Sequence, residues 1–325
     1  MSSESEMFCQ AGIARRSLLG IMAATVTGLA AGQVKDERRG TERRRFRYCL
    51  NMSTIRGQEL DAAEEIETAG RAEYDAIEPW LGKLHDYRRN GGSLKDLNKR
   101  IIDHGLTVES AIGFAAWIVD DDAQRAKGFE EAKRDMDLLA QIGGKRIAAP
   151  PAGVGRGEVI DPMRAAQRYR ELIELGEGMG VIPQIEMWGG NATIGRLSTA
   201  ILIAMEAGHP KACFLGDVYH TYKGDCDFDG LRLLSPQAMQ VFHFNDYPAD
   251  PPRPTIRDEH RVFPGDGIAP ITEVLQIFDS VGARPVLSLE VFNKEYWSRP
   301  ALETAVTGLK KMKAAVAQAG FGSRI

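Results

Sequence analysis

Four ionisable residues stand at the ends of apolar runs in the second half of the chain, in the order Glu186, Asp217, His243 and Glu290. Three carboxylates and one imidazole form a ligand set that suits a hard or borderline divalent cation such as Mn²⁺, Mg²⁺ or Co²⁺. The set holds no thiolate, which disfavours a structural zinc site. These residue types therefore predict a divalent metal site, provided that the fold brings them together.

Each of these residues also has an ordinary alternative role. A single Glu or Asp after a strand is commonly solvated in a loop or paired with a neighbouring Lys or Arg. Four such residues in succession are harder to explain in that way, because unpaired charges next to a core are costly. The pattern favours one shared cation over four independent surface charges.

From Phe46 onward the chain alternates between short apolar runs and longer segments with helical spacing. The runs, which we predict to be strands, are 46–51, 74–79, 106–112, 146–149, 181–187, 212–218, 239–245 and 285–292. The predicted helices between them are 58–70, 94–104, 123–143, 162–180, 193–207, 231–234, 268–281 and 300–319, of which the sixth is short and weak. Several end at a glycine just before the next strand, as helices commonly do.

Eight consecutive strand–helix units favour a closed (β/α)8 barrel, the α/β fold called the TIM barrel, over an open sheet. An open doubly wound sheet would carry a glycine-rich loop after its first strand, where this chain has Asn51-Met52-Ser53-Thr54. In a barrel, functional residues collect at the carboxyl ends of the strands, which lie about 4.8 Å apart. Side chains from strands five to eight can therefore meet on one ion above the barrel mouth.

Composition and charge are consistent with one large folded domain. The chain has 325 residues, of which 43% are hydrophobic, and this is enough apolar material for a sizeable core. Its 41 Lys and Arg against 45 Asp and Glu give a formal net charge of -4, which argues against a nucleic-acid partner. The four cysteines show no metal-knuckle spacing and predict no disulfide framework.

The N-terminus is predicted to be an export signal. Arg15 and Arg16 precede an uncharged stretch, residues 18–31, that is too short to cross a bilayer but fits a twin-arginine signal peptide. We predict a signal peptide over 1–31, a basic linker over 32–45 and a single catalytic barrel over 46–325. The protein would then be periplasmic, with no stable membrane span after processing. If the two arginines are accidental, it would be cytoplasmic.

The four candidate ligands resemble the Glu-Asp-His-Glu metal set of the xylose isomerase-like superfamily of sugar isomerases and epimerases. The resemblance covers the chain from Phe46 to its end, and it is greatest to the tagatose/psicose 3-epimerase, hydroxypyruvate isomerase and inositol-catabolism branches. His220 matches the second histidine of that family's D-x-x-H segment. Residues 261–267, RVFPGDG, are similar to the family's R-x-x-P-G-(E/D)-G loop, and residues 288–293, SLEVFN, resemble its final-strand motif.

The resemblance implies roles for the four ligands. Glu186 and Glu290 would be the acid/base pair and would also bind the metal, while Asp217 and His243 would be ligands only. The two glutamates would remove and return a proton next to the carbonyl of a ketose or related keto-sugar. The cation would stabilise the enediolate that forms, as a Lewis acid.

Four further residues are predicted to bind the small-molecule carbohydrate: His220, Arg261, Glu78 and Trp188. His220 would contact a substrate oxygen, and Arg261 would anchor a hydroxyl or carboxylate. Family members often use an acidic residue at the position of Glu78, and Trp188 would form an aromatic wall. The alternatives are a capping or packing histidine, a surface salt bridge, a loop-orienting glutamate and a core tryptophan.

Other functions stay open on the sequence. A metal-dependent dehydratase of a keto-cyclitol or of 3-dehydroshikimate would begin with the same proton abstraction, and superfamily relatives perform that reaction on this ligand set. A non-catalytic periplasmic sugar-binding protein would not need the ion. A DNA-repair hydrolase like endonuclease IV is disfavoured, because it uses a three-zinc cluster with more histidines than the six available here. The residues define neither the sugar nor the oligomeric state, although a homo-oligomer is compatible with them.

Overall fold

The structure of the protein, a computed structural model, describes residues 45–322. Eight parallel strands form one sheet in the order β3-β2-β1-β8-β7-β6-β5-β4. They are β1 (Tyr48–Asn51), β2 (Ala76–Glu78), β3 (Thr107–Val108), β4 (Arg146–Ala149), β5 (Ile182–Glu186), β6 (Phe214–Asp217), β7 (Met239–His243) and β8 (Val286–Leu289). The Ala148 N–H donates to the Ala111 carbonyl at 2.8 Å and joins the two ends of this order. The predicted (β/α)8 barrel is confirmed.

The helices lie between the strands, as predicted from the spacing of apolar residues. Over the described residues the α-helices are α1 (Ala62–Arg71), α2 (Leu81–Arg89), α3 (Leu94–Asp103), α4 (Asp122–Gln141), α5 (Pro162–Met179), α6 (Leu197–Glu206), α7 (Val218–Lys223), α8 (Ile271–Ser280), α9 (Lys294–Trp297) and α10 (Ala301–Val316). No helix within this part of the chain is long and apolar enough to span a bilayer. The predicted signal peptide and nearly all of the predicted linker lie outside the described residues.

Local capping fixes where several helices begin and end. The Asp61 side chain accepts from the N–H groups of Ala63 and Glu64, and the Glu64 carboxylate accepts from the Asp61 N–H at 2.8 Å. This reciprocal box satisfies N–H groups that have no partner within the helix. Helix α5 shows the corresponding signal at its C-terminus, where Gly180 adopts φ 75°, a left-handed conformation that glycine reaches without strain. Both signals are present in the sequence and both set helix boundaries near those predicted.

The sixth unit departs most from the prediction. Strand β6 is followed at once by α7, and three of the four residues of the predicted helix 231–234 belong instead to a 3₁₀ helix, Phe228–Leu233. Helix α7 has the sequence VYHTYK, whose β-branched and aromatic residues have low intrinsic helix propensity. It forms because the Asp217 side chain accepts from the His220 N–H at 2.9 Å and caps its first turn.

Close packing between the sheet and the surrounding helices holds β6 and β7 in place. Gly216 of β6 faces the ring of Phe242, and a Cβ at this position would lie 2.2 Å from a carbon of that ring. Phe242 in turn packs edge-on against Phe278 of α8, with ring centroids 4.9 Å apart. This close packing on the helix-facing side of the sheet supports the ends of β6 and β7, which carry two of the predicted ligands.

Candidate metal centre and active site

Strands β5 to β8 bring the four predicted ligands together at the carboxyl end of the barrel. Asp217, His243 and Glu290 each place one ligand atom within 4.8 Å of the others. His243 Nδ1 lies 3.1 Å from Glu290 Oε2, 3.4 Å from Asp217 Oδ2 and 4.0 Å from Glu186 Oε1. All four side chains are buried. We call this group, with Arg261, the mouth cluster.

The concentration of carboxylates perturbs the ionisation of the cluster. Burial, reinforced by the charges of Glu290 and Asp217 and opposed by His243, raises the pKa of the Glu186 carboxyl to about 8. Burial acts against the charged imidazole of His243, yet the carboxylates of Glu290 and Glu78 raise its pKa well above the ordinary value. For Asp217, burial is outweighed by Arg261 and His220, and its pKa is lowered. The cluster therefore attracts positive charge.

The nitrogen of His243 that faces the carboxylates is suited to a cation. His243 Nε2 lies 3.1 Å from a carboxylate oxygen of Glu78, whereas Nδ1 is buried and has no hydrogen-bond partner among residues 45–322. A buried polar atom without a partner costs free energy unless a ligand satisfies it. One imidazole nitrogen and three carboxylates match the donors that Mn²⁺, Mg²⁺ and Co²⁺ accept, so the residues present fit a divalent cation.

Arg261 lies inside the cluster, not on the surface. Its Nη1 donates to Asp217 Oδ2 at 2.9 Å and to Glu290 Oε2 at 2.8 Å, and its Nη2 donates to Asp258 Oδ1 at 2.5 Å. The surface salt bridge considered for this residue is thus wrong, because the side chain is only 1% exposed. Arg261 also lines the cavity above the ligands, and its contact with substrate stays a prediction.

His220 reaches the same cavity from α7. Its Nδ1 accepts from the Gly189 N–H at 3.1 Å, and its Nε2 lies 3.0 Å from Arg261 Nη2. Burial and the charge of Arg261 lower the pKa of His220, which keeps this ring neutral at physiological pH. A neutral imidazole at a cavity wall can share a hydrogen bond with a substrate oxygen.

An aromatic wall closes one side of a cavity of about 470 Å³ above the ligands. Trp188 lines it, as predicted, together with Phe114, Trp80 and Phe292. The rings of Trp80 and Phe114 are 5.3 Å apart, and those of Phe114 and Trp188 are 6.2 Å apart. The sequence prediction gave no role to Trp80, Phe114 or Phe292, since a single aromatic residue outside a regular element carries no periodic signal.

Glu78 does not face the cavity, contrary to its predicted contact with substrate. Its side chain is fully buried, and its Oε2 lies 2.9 Å from Asn51 Nδ2 and 2.6 Å from Ser288 Oγ as well as near His243. The side chain points from the end of β2 toward the neighbouring strands, where it meets these three residues. Although burial opposes ionisation, the charge and hydrogen bond of His243 lower the pKa of Glu78.

Two consecutive polar residues after β7 also shape the site, and sequence reasoning gave them no role. Asn245 Nδ2 lies 3.2 Å from Asp217 Oδ2 and holds that carboxylate. Asp246 accepts from the N–H groups of Gly265, Gly267 and Ala269, and so folds the loop that follows Arg261. The signal was present as a polar pair, Asn245 and Asp246, at the end of the predicted strand 239–245.

Comparisons with known proteins agree with this architecture. A family model described as xylose isomerase-like TIM barrel matches residues 65–315. The inosose isomerase of Bacillus velezensis is 24% identical over 277 residues, which cover 84% of this chain and 98% of that protein. The 3-dehydroshikimate dehydratase of Pseudomonas aeruginosa is 24% identical over 250 residues, 77% of this chain but 39% of that protein. The crystal structure of the IOLI protein with a bound zinc atom superposes with a TM-score of 0.79 at 22% identity, over 86% of this chain and 100% of that one.

Proposed function

Since the chain belongs to the xylose isomerase-like TIM barrel family, we propose that it is a divalent-metal-dependent isomerase or epimerase of a ketose or related keto-sugar. The observation that carries the proposal is the convergence of Glu186, Asp217, His243 and Glu290 beneath one cavity. The inosose isomerase relative is matched over 98% of its length, which favours a keto-cyclitol among the substrates to be tested.

The mouth cluster would hold the cation through three carboxylates and His243 Nδ1. When bound, the cation would act as a Lewis acid toward a substrate carbonyl oxygen. Mn²⁺, Mg²⁺ and Co²⁺ suit these ligands, and the zinc of the IOLI protein adds Zn²⁺ to the ions to be tested.

Glu186 and Glu290 are held differently, and the difference suits opposite steps of a proton transfer. Glu290 is fixed by two donors, since Arg261 Nη1 donates to it at 2.8 Å and Asn51 Nδ2 donates to it at 3.2 Å. Glu186 makes no such contacts with either residue, and burial raises the pKa of its carboxyl to about 8, so it takes up a proton more readily than an ordinary glutamate. One carboxylate can thus accept a proton from substrate while the other returns one.

The rest of the cavity supports a polar substrate with an apolar face. Rings such as Trp188 and Phe114 offer flat apolar surfaces, and His220 and Arg261 add polar groups to the lining of the same cavity. The volume of about 470 Å³ lies within the range of small-molecule sites. A hydroxylated ring or a short sugar chain combines these two kinds of surface.

A dehydratase is the second candidate, because the matched dehydratase has a similar sequence over 77% of this chain. Its reaction would begin with the same abstraction beside a carbonyl and differ in the loss of a β-hydroxyl. The match spans only 39% of the dehydratase, whereas the isomerase is matched almost completely. We therefore favour the isomerase over the dehydratase.

A substrate screen in deuterated water tests the proposal. The protein is supplemented with Mn²⁺, Mg²⁺, Co²⁺ or Zn²⁺ and offered ketoses, inososes and 3-dehydroshikimate, with products followed by NMR and mass spectrometry. Deuterium gained beside the carbonyl without loss of water identifies an isomerase or epimerase. Loss of water identifies the dehydratase, and no reaction with any cation contradicts both.

Export is a separate proposal that depends only on Arg15 and Arg16. Both lie outside the described residues. Fractionation of cells that produce the full chain, with an R15K/R16K variant as control, is expected to place only the unaltered protein in the periplasm.

A further inference from the structure

Glu78 belongs to a buried network on four neighbouring strands. Its Oε2 lies 3.1 Å from His243 Nε2, 2.9 Å from Asn51 Nδ2 and 2.6 Å from Ser288 Oγ. The sheet places β2, β1, β8 and β7 side by side, and its register pairs Asn51 with Glu78 and His243 with Ser288. All four side chains are fully buried. The network therefore lies in the barrel interior, in direct contact with one candidate metal ligand.

The contact with Glu78 selects one tautomer of His243. A carboxylate accepts hydrogen bonds and donates none when ionised, so the hydrogen bond requires a proton on His243 Nε2. In a neutral imidazole the other nitrogen then carries the lone pair. That nitrogen, Nδ1, is the one that lies 3.1 Å from Glu290 and 3.4 Å from Asp217. When a cation displaces the proton from Nδ1, the network keeps the remaining proton on Nε2 and leaves the Nδ1 lone pair to bind the cation.

We propose that Glu78 is a positioning residue of the metal centre, which holds His243 as the Nε2–H tautomer and aims Nδ1 at the cation without contacting substrate. The inference rests on the proposed function, because it takes His243 as a ligand. Asn51 extends the network, since its Nδ2 also lies 3.2 Å from Glu290 Oε1. One amide thereby links the positioning carboxylate to a second candidate ligand.

A purely structural role for Glu78 makes a different prediction. A buried carboxylate that only satisfies its three donors would affect folding but not the affinity for a cation. A carboxylate that orients a ligating imidazole fixes its tautomer and raises its basicity, and its loss commonly weakens metal binding by about 10–100-fold. Metal affinity and tautomer state therefore separate the two roles without any measurement of activity.

The first test measures Mn²⁺ affinity of the full chain by isothermal titration calorimetry. E78Q keeps the size of the side chain and removes its charge, and we expect affinity to fall by about 10–100-fold. The matched control is D135N, because Asp135 is also buried and its Oδ1 lies 2.6 Å from His85 Nε2, outside the metal centre. D135N is expected to bind Mn²⁺ like the unaltered protein. A loss in E78Q no larger than in D135N overturns the proposal.

The second test reads the tautomer directly in the unaltered protein and does not depend on the folding of E78Q. The ¹⁵N side-chain spectrum of the metal-free protein, at a pH where the ring is neutral, is expected to show His243 protonated on Nε2. The chain has six histidines, and H243N identifies the signal. A proton on Nδ1 overturns the proposal. In E78Q, if it folds, we expect a mixture of tautomers.

The outcomes distinguish the inference from the proposed function. If the protein binds Mn²⁺ but converts no keto-sugar, the proposed function fails and the two tests still decide the role of Glu78. If it binds no divalent cation, both fail.

Discussion

Two charged clusters lie at opposite ends of the barrel strands, and their charges are composed in opposite ways. The mouth cluster gathers three buried carboxylates around one arginine and one histidine. At the amino ends of the strands, the single carboxylate of Glu109 is surrounded by three cations, Arg47, Lys145 and Arg146. We call these four residues the floor cluster.

The difference in charge and exposure shows which cluster needs an additional ion to balance its charge. In the floor cluster, Arg47 lies 2.6 Å and Lys145 Nζ 2.9 Å from Glu109 Oε1, and their side chains are 43% and 50% exposed. Water can hydrate the extra positive charge, so the cluster needs no ligand. The excess negative charge of the mouth cluster is buried, where it is costly without a further cation. In TIM barrels the floor commonly serves stability and the mouth function.

The largest effect is expected from E290Q, which removes a charge from the mouth cluster and an acid/base group from the cavity. We expect kcat to fall by about 10³-fold or more, as for the loss of a general base, with the fold retained. Steady-state kinetics on the substrate found by the screen, with circular dichroism, provide the measurement. E109Q removes the same charge from the floor and should leave kcat unchanged. Equal losses in both variants would erase the distinction between the clusters.

Removal of the cation should destabilise the protein, and this effect should depend on residues of the mouth cluster and not on those of the floor cluster. Mn²⁺ at about 100 times its dissociation constant is expected to add about 2.7 kcal/mol to the free energy of unfolding, and a chelator should reverse this. Thermal unfolding followed by calorimetry measures the shift. D217N should lose it, whereas E109Q should keep it. A shift that survives in D217N would place the ion elsewhere.

The floor cluster should respond to acid. Although burial opposes its charge, hydrogen bonds from Lys145 and Arg47 lower the pKa of Glu109 from 4.5 to about 2. A lowered carboxyl pKa stabilises the fold above the unfolded value near 4.5, and this contribution is lost as pH falls toward 2. E109Q should therefore cost about 2 kcal/mol at pH 7 and much less near pH 2. Urea unfolding of both proteins across this range measures it, and a constant difference would contradict it.

The smallest effect on catalysis is expected from a change in the aromatic wall. The contacts described for the floor cluster include no such wall. W188A should raise KM by about 10-fold, or about 1.4 kcal/mol, with little change in kcat, because the ring binds substrate and takes no part in proton transfer. W188F should recover most of the loss by restoring a flat surface. A fall in kcat at unchanged KM would assign Trp188 a different role.

Much of the fold and the ligand set could be predicted from local sequence. Apolar runs and helical spacing located every strand, and the residue after or at the end of each later run identified Glu186, Asp217, His243 and Glu290. Helix α7 was missed because VYHTYK lacks helical periodicity and forms through a cap from Asp217. Helix α2 was missed too, since Leu81–Arg89 buries only two of its residues.

The sequence by itself determined which chemical groups stand at which strand ends, because periodicity and strand termini are properties of neighbouring residues. Only the tertiary structure decided what each group touches. Arg261 bonds to Asp217 and Glu290, which are 44 and 29 residues away, and Asn51 meets Glu290 across 239 residues. Contacts over such separations depend on strand order, register and the direction of each side chain. For that reason Glu78 was expected at the cavity and is instead fully buried against His243, Asn51 and Ser288.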